Sequence, residues 1–177
     1  MKHVILTILI ALFSNGLLAQ ASLFKEGQVI KGFGKYAVVN NVGVDDATVL
    51  KVAFDVSQAA KPGEVNPDFD SLARFLNMHV AAGVKQENIH LALVVHGRAG
   101  LDLLNNQSYK KAQDADNFNK ALVEALLANN VRVLLCGQSA AGYEISQEQL
   151  IKGSKVELSA MTAHALLQQE GYTLNPF

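Results

Sequence analysis

Val131-Arg132-Val133-Leu134-Leu135-Cys136-Gly137-Gln138-Ser139, followed by Ala140-Ala141-Gly142, is the stretch that decides the fold. A short apolar run bounded by turn residues suits a strand buried on both faces of a parallel sheet, and Gly137 permits the abrupt backbone turn that ends it. The chain's only cysteine therefore falls at a strand's carboxyl end. In open α/β sheets the crevice outside those ends is the usual ligand site. The stretch thus poses a functional question as well as a packing one.

Working outward, residues 89–95 read as a second apolar strand ending in His96-Gly97-Arg98, and residues 50–54 as an earlier one ending at Asp55. Between them Leu72, Phe75, Leu76 and Val80 recur at three-to-four spacing, with Asp68 or Asp70 as cap and Gly83 as stop, which predicts a helix. Pro62-Gly63 and Asn66-Pro67 read as loop before it. Strand, helix, strand is a βαβ crossover. After Arg98, residues 99–106 form a short helix, and Tyr109, Lys110 and Lys111 lie in a polar segment. A second long helix starts at Asp116 or Asn117, with Phe118, Ala121, Leu122, Ala125 and Leu126 along one side and Asn129-Asn130 as its stop. Beyond the opening stretch, Ser146 with Gln149 has capping-box spacing and implies a brief helix to Ile151. Residues 155–158 are then a final strand, and Ser159 caps a last helix over 161–170. Core strands with helices on both faces make a three-layer α/β unit, undivided by repeats or low-complexity linkers.

The amino terminus reads as an address. Met1-Lys2-His3 is weakly basic, residues 4–13 are apolar apart from Thr7, and Ala19-Gln20-Ala21 offers the small residues of a signal-peptidase site. Ser14, Asn15 and Gly16 interrupt the run well short of the ~20 apolar residues a membrane span needs. The expected organisation is a signal peptide at 1–21, an N-terminal arm or edge ribbon at 22–49 and an α/β domain at 50–177. Location is then periplasmic or secreted, with no stable membrane insertion after cleavage. In the arm, Gly27, Gly32 and Gly34 punctuate Val29, Ile30, Tyr36, Val38 and Val39, a hairpin pattern that serves either an oligomer contact or packing on its own domain.

A formal net charge of −1, from 15 Lys plus Arg against 16 Asp plus Glu, leaves no basic stripe, so a nucleic-acid partner is not expected. One cysteine excludes an internal disulfide framework. Scattered histidines without metal-ligand spacing predict no metal, and Gly137-Gln138-Ser139-Ala140-Ala141-Gly142 has neither a P-loop lysine nor a dinucleotide fingerprint, so no cofactor is expected. Ser139 also lacks the nucleophile-elbow setting of a serine hydrolase.

The remaining chemistry is that of the strand ends. If their strands are neighbours, His96 and Cys136 open on one crevice, where an imidazole and inward-pointing N–H groups raise the thiolate fraction of the cysteine. The plainer readings are an inert buried thiol at Cys136, a loop-satisfying His96, a turn-capping Asp55 and an aromatic anchor at Tyr109. His79 and His164 fall in helical segments and read as partly buried or surface residues, not ligands.

Several segments carry a family likeness in order and spacing. They are Lys51-Val52-Ala53-Phe54-Asp55-Val56, Val94-Val95-His96-Gly97 with Tyr109 downstream, Asn119 opening a helix, Val133-Leu134-Leu135-Cys136-Gly137-Gln138-Ser139, Ser159-Ala160-Met161 and Leu167-Gln168-Gln169-Glu170-Gly171-Tyr172. In these the chain resembles the DsrE/DsrF-like family, particularly its exported members, from about Gly32 to Tyr172. The resemblance implies a flavodoxin-like or Rossmann-like domain with a mainly parallel central sheet that associates into homo-oligomers. It also implies sulfur passed as a cysteine persulfide between protein partners. Cys136 matches the family cysteine, and His96, Gly97, Gln138 and Ser139 match crevice positions of the exported branch; Asp55, Tyr109, Asn119 and Gly137 complete the candidate crevice. The expected function is a periplasmic sulfur carrier or sulfurtransferase-like protein, with Cys136 and His96 as its catalytic pair and a sulfur donor or acceptor protein, or a small sulfur-containing ligand, as partner. The alternative is a non-enzymatic exported small-ligand-binding or structural module of a sulfur or redox assembly.

Overall fold

The apolar runs read as strands lie where both faces of a sheet are covered. The computed structural model describes residues 23–40 and 42–175, so the expected signal peptide lies outside the described residues. In chain order the elements are β1 (Phe24–Lys25), β2 (Tyr36–Ala37), β3 (Leu50–Val56), α1 (Pro67–Ala81), β4 (Ile89–Val95), α2 (Asn106–Gln113), α3 (Asn119–Ala128), β5 (Arg132–Cys136), α4 (Gly137–Gly142), β6 (Lys155–Glu157), α5 (Ala160–Gln169) and β7 (Thr173–Asn175). Short 3-10 turns at Gln86–Asn88, Gly97–Leu103 and Gln147–Gln149 complete them.

Strands β3 to β7 form one five-stranded sheet in the order β6-β5-β4-β3-β7, with every neighbouring pair parallel. The chain steps outward from β3 to β6, then α5 carries it back across the sheet to β7 on the far side of β3. Helices cover both faces. On one face Leu72, Leu76, Leu122 and Leu126 pack on Val52, Phe54, Leu91, Leu93, Val133 and Leu135, the larger core. On the other, Ala163 and Leu167 of α5 pack on Ala53, Ala92, Val94 and Leu134. A fully buried Leu or Val contributes roughly 1.5–3 kcal/mol. The double burial of β4 explains its unbroken apolar sequence.

Several local readings change. Asn66 is the N-cap of α1, its side chain accepting from the Asp68 N–H at 3.0 Å, and Pro67 opens the helix instead of continuing the loop. Proline suits that position because its missing N–H would have no helical partner. The polar segment around Tyr109 is helix α2, capped by Asn105, which accepts from the Ser108 N–H, and anchored by buried Tyr109. Helix α3 begins at Asn119, whose N–H is held by the Asn117 side chain at 2.9 Å. Its buried face is therefore Asn119, Leu122, Val123 and Leu126, and Phe118 is left exposed. Residues 173–175, beyond the last expected helix, are the fifth core strand.

The described part of the arm does form a hairpin, β1 against β2. Buried Asn77 of α1 fastens it: Oδ1 accepts from the N–H groups of Val29 (3.1 Å) and Ile30 (2.9 Å), and Nδ2 donates to the carbonyls of Ile30, Phe33 and Gly34. A Cβ on Gly27 would lie 2.0 Å from Asn77 Nδ2, so the arm closes over this side chain only with glycine there. Replacement Asn77→Ala strands these buried backbone groups, each costing about 1–3 kcal/mol if left unpaired. Thermal melting should show a loss of roughly 2–4 kcal/mol, with limited proteolysis cutting first within the arm; unchanged melting and protease resistance would contradict this role.

Candidate functional site

Side chains alternate along a strand, so register decides which residues share a face. Ala53, Ala92, Val94 and Leu134 face α5, and pairs Asp55 with Val94, Val94 with Leu134 and Val95 with Leu135 lie in register. Two residues past Ala53, Val94 and Leu134 come Asp55, His96 and Cys136, on the same face at the carboxyl edge. The His96 N–H donates to the Val56 carbonyl at 2.9 Å, which extends the ladder by one residue and holds His96 at that edge. The neighbouring of β4 and β5 that a shared crevice requires is present.

Cys136 is buried and is the N-cap residue of α4. Burial pushes its thiol up. The Ser139 N–H and hydroxyl, the Ala160 N–H and the Gln138 N–H outweigh burial and hold the thiol below its ordinary value. Two of these N–H groups come from the first turn of α4 and one from the start of α5, where unpaired donors and the helix dipole favour an anion. No tight cap bond closes on the sulfur; the donors surround it, and thiolate charge would draw them in. Ser139 is placed by its other contact, since its Oγ accepts from the Gly97 N–H at 2.9 Å.

Two glycines are required for different reasons. Gly97 has φ +54, a left-handed conformation that lets its N–H reach Ser139. Gly137 is pressed against the loop after β6, where a Cβ would lie 2.6 Å from the Glu157 carbonyl oxygen. The Gln138 side chain donates to the Leu158 carbonyl at 3.2 Å and ties α4 to that same loop.

Asp55 stands between two histidines. Its Oδ2 accepts from His96 Nε2 at 3.1 Å and its Oδ1 from His164 Nε2 at 2.7 Å. Burial pushes the Asp55 carboxyl up, but the hydrogen bonds and charge of His164 and His96 outweigh it and hold it below its ordinary value. His164 is partly buried, one of the two expected placements, and its bond to Asp55 brings it into the group at this edge, which the sequence reading did not include. The usable signal was phase: capped at Ser159, α5 turns Ala160 and His164, one turn apart, toward the sheet edge.

Tyr109 and Asn119 do not join this group. Tyr109 packs in the larger core, its hydroxyl pushed up by burial and by the Asp102 charge. Asn119 Oδ1 accepts from the Asn66 N–H at 2.6 Å, and Asn66 Nδ2 donates to buried Asp102 Oδ2 at 2.8 Å. Asn119 thereby supports the loop that leads into α1. Among the described residues, no three His, Cys, Asp or Glu side chains are grouped to hold a metal ion.

Comparison with known proteins bears on the whole domain. The model of the DsrE/DsrF-like family matches residues 36–176. The ychN protein from E. coli is 22% identical, with a TM-score of 0.51 over 72% of this chain and 100% of its own. MTH1491 from Methanobacterium thermoautotrophicum, a protein of unknown function, is 16% identical, with a TM-score of 0.50 over 72% of this chain and 99% of its own. At these identities the likeness is one of fold. A comparison with curated proteins found no match.

The donors around Cys136 carry a test. Ser139→Ala removes the hydroxyl donor and the acceptor that orders Gly97, so the thiol rises toward its ordinary value. Alkylation of Cys136 at pH 7 should slow roughly 3- to 10-fold, with the rate above pH 10 unchanged. A pH profile identical to that of the unaltered protein would refute the assigned role of Ser139.

Proposed function

The chain belongs to the DsrE/DsrF-like family, which is linked to sulfur relay, and from that premise we propose that Cys136 carries sulfane sulfur as a persulfide. The observation that supports this reading is the thiol's position among N–H groups from the starts of two helices, a setting that favours a thiolate and would equally favour the terminal anion of a persulfide. The Cys136 thiolate attacks the outer sulfur of a donor persulfide, R–S–S⁻. The donor S–S bond breaks, R–S⁻ departs and takes a proton, and Cys136–S–S⁻ forms. An acceptor thiolate then attacks the outer sulfur, becomes the new persulfide and returns the Cys136 thiolate. Sulfur changes hands without net oxidation, and His96 at the same edge exchanges the proton of the departing or attacking thiol.

The setting is export: the leader at 1–21 would be removed and the domain would act outside the cytoplasm, as a homo-oligomer. Exposed Leu158 and Met161, at 71% and 80% relative accessibility, flank the loop and helix start that abut Cys136 and suit contact with a second copy or a donor protein. Among the described residues no helix is long and apolar enough to cross a membrane.

A binding-module reading draws on a different place, the apolar groove of about 250 Å³ between the arm and α1 lined by Tyr36, Val38, Val39, Val42, Met78 and Ala82. Ligand capture there would survive loss of the thiol, whereas the sulfur reading would not.

Incubation of the folded protein with a panel of sulfane donors should add about 32 Da, one sulfur atom, to Cys136, and Cys136→Ser should abolish the adduct. A thiol that alkylates readily yet gains no sulfur from any donor would overturn the carrier reading. Mass analysis of the protein recovered from the cell envelope should place the mature amino terminus at Ser22; an intact Met1 in that fraction would contradict cleavage.

A further inference from the structure

Asp55 connects three elements. It stands one residue before the end of β3, its Oδ2 takes the His96 Nε2–H from the edge of β4, and its Oδ1 takes the His164 Nε2–H from α5. His164 Nδ1 is buried and has no hydrogen-bond partner among the described residues, so the bond to Asp55 is what orients this ring. One turn earlier on the same helix, the Ala160 N–H is among the donors around Cys136. The first two turns of α5 thus have two attachments at the sheet edge, the Ser159–Ala160 start beside the thiol and His164 on the carboxylate.

We propose that Asp55 is a positioning residue: by holding His164 it keeps the start of α5 close to Cys136, and by holding His96 through Nε2 it leaves Nδ1 as that ring's proton-exchanging atom. This rests on the reading of Cys136 as the sulfur-carrying thiol. A neutral imidazole that donates through Nε2 keeps its lone pair on Nδ1, so the carboxylate sets the tautomer as well as the place of the ring. Glu157 is the register partner of Cys136 on β6, and Arg98 is exposed in the turn that follows His96 and Gly97. Neither hydrogen-bonds to Asp55, His96 or His164 among the described residues.

The sign of the effect separates positioning from simple charge. As a negative group alone, Asp55 would oppose a nearby thiolate, and its neutralisation would make Cys136 ionise more readily. As the anchor of α5 it does the reverse. The pH profile of Cys136 alkylation in the full folded chain, for Asp55→Asn, His164→Leu and His164→Gln, distinguishes them. Asp55→Asn and His164→Leu should each slow alkylation at pH 7 roughly 3- to 10-fold and leave the rate above pH 10 unchanged. His164→Gln, which can still donate an N–H to Asp55, should recover the unaltered profile to within about twofold. The proposal is overturned by an unchanged profile in both disrupting variants, by faster alkylation at pH 7 in Asp55→Asn, or by an equal loss at every pH. If His164→Leu fails to fold, the near-isosteric Asp55→Asn decides alone. Sulfur uptake is read separately by mass: an adduct with an unshifted profile overturns only the positioning role, and a shifted profile without an adduct overturns only the sulfur reading.

Discussion

A thiol buried at the end of a strand ionises only if the surrounding backbone supplies the donors that water would have supplied, and the carboxyl edge of this sheet meets that constraint. Parallel pairing in register brings the ends of β3, β4 and β5 level. Gly137 lets α4 begin against the loop after β6, where any larger residue would collide with the Glu157 carbonyl. The same loop then feeds α5, whose start lies beside β5 and lowers the Cys136 thiol through the Ala160 N–H. The donors around Cys136 therefore come from the path of the chain around one glycine and not from a set of charged side chains.

The two faces of the sheet have separate tasks. The face under α1 and α3 carries the large leucines and a buried polar group, Asn66, Asp102, Asn117 and Asn119, that is spent on backbone groups of the loops. Burial pushes the Asp102 carboxyl up, against the pull of Asn66 and the Ala60 N–H. A perturbed carboxylate is often a sign of a functional site, but the edge that carries Cys136 and His96 lies on the opposite face. There Asp55, with two histidine partners, shifts in the other direction.

What the sequence made legible followed from burial. Strands β4 and β5 stand out because both faces are covered, so their apolar runs admit little else, and Cys136 and His96 were read correctly as strand-end residues. Helix α2 was not legible because it buries one residue, Tyr109, and leaves its other side chains polar; a capped helix with a single anchor has no apolar period to detect. The phase of α3 was misjudged through Phe118, an aromatic that sits exposed at the helix start while Asn119 is buried. Tyr109 and Asn119 enter the candidate crevice through the family likeness, and contacts place Tyr109 in the larger core and Asn119 on the Asn66 N–H. His164 escaped for another reason. Its partner Asp55 is more than a hundred positions away, so the phase of α5 turns His164 toward the sheet edge without naming the carboxylate that it meets there.

Why α5 can serve as both cover and donor follows from the residues beneath it. Its contact face rests on Ala53 and Ala92 together with Val94 and Leu134, and offers Ala163 and Leu167 in return. Small side chains on both sides permit a close helix-to-sheet approach, and interiors packed to crystal density leave little room to absorb an added methylene without moving the backbone. The distance of α5 from the sheet is thus set by alanines in the middle of the face, while its polar contact is made at the edge, where His164 meets Asp55 and the helix starts close to Cys136. A thin second core is commonly a weakness in a three-layer fold, since it buries less apolar area. Here it is the condition that lets a helix start, a carboxylate and a thiol occupy one edge.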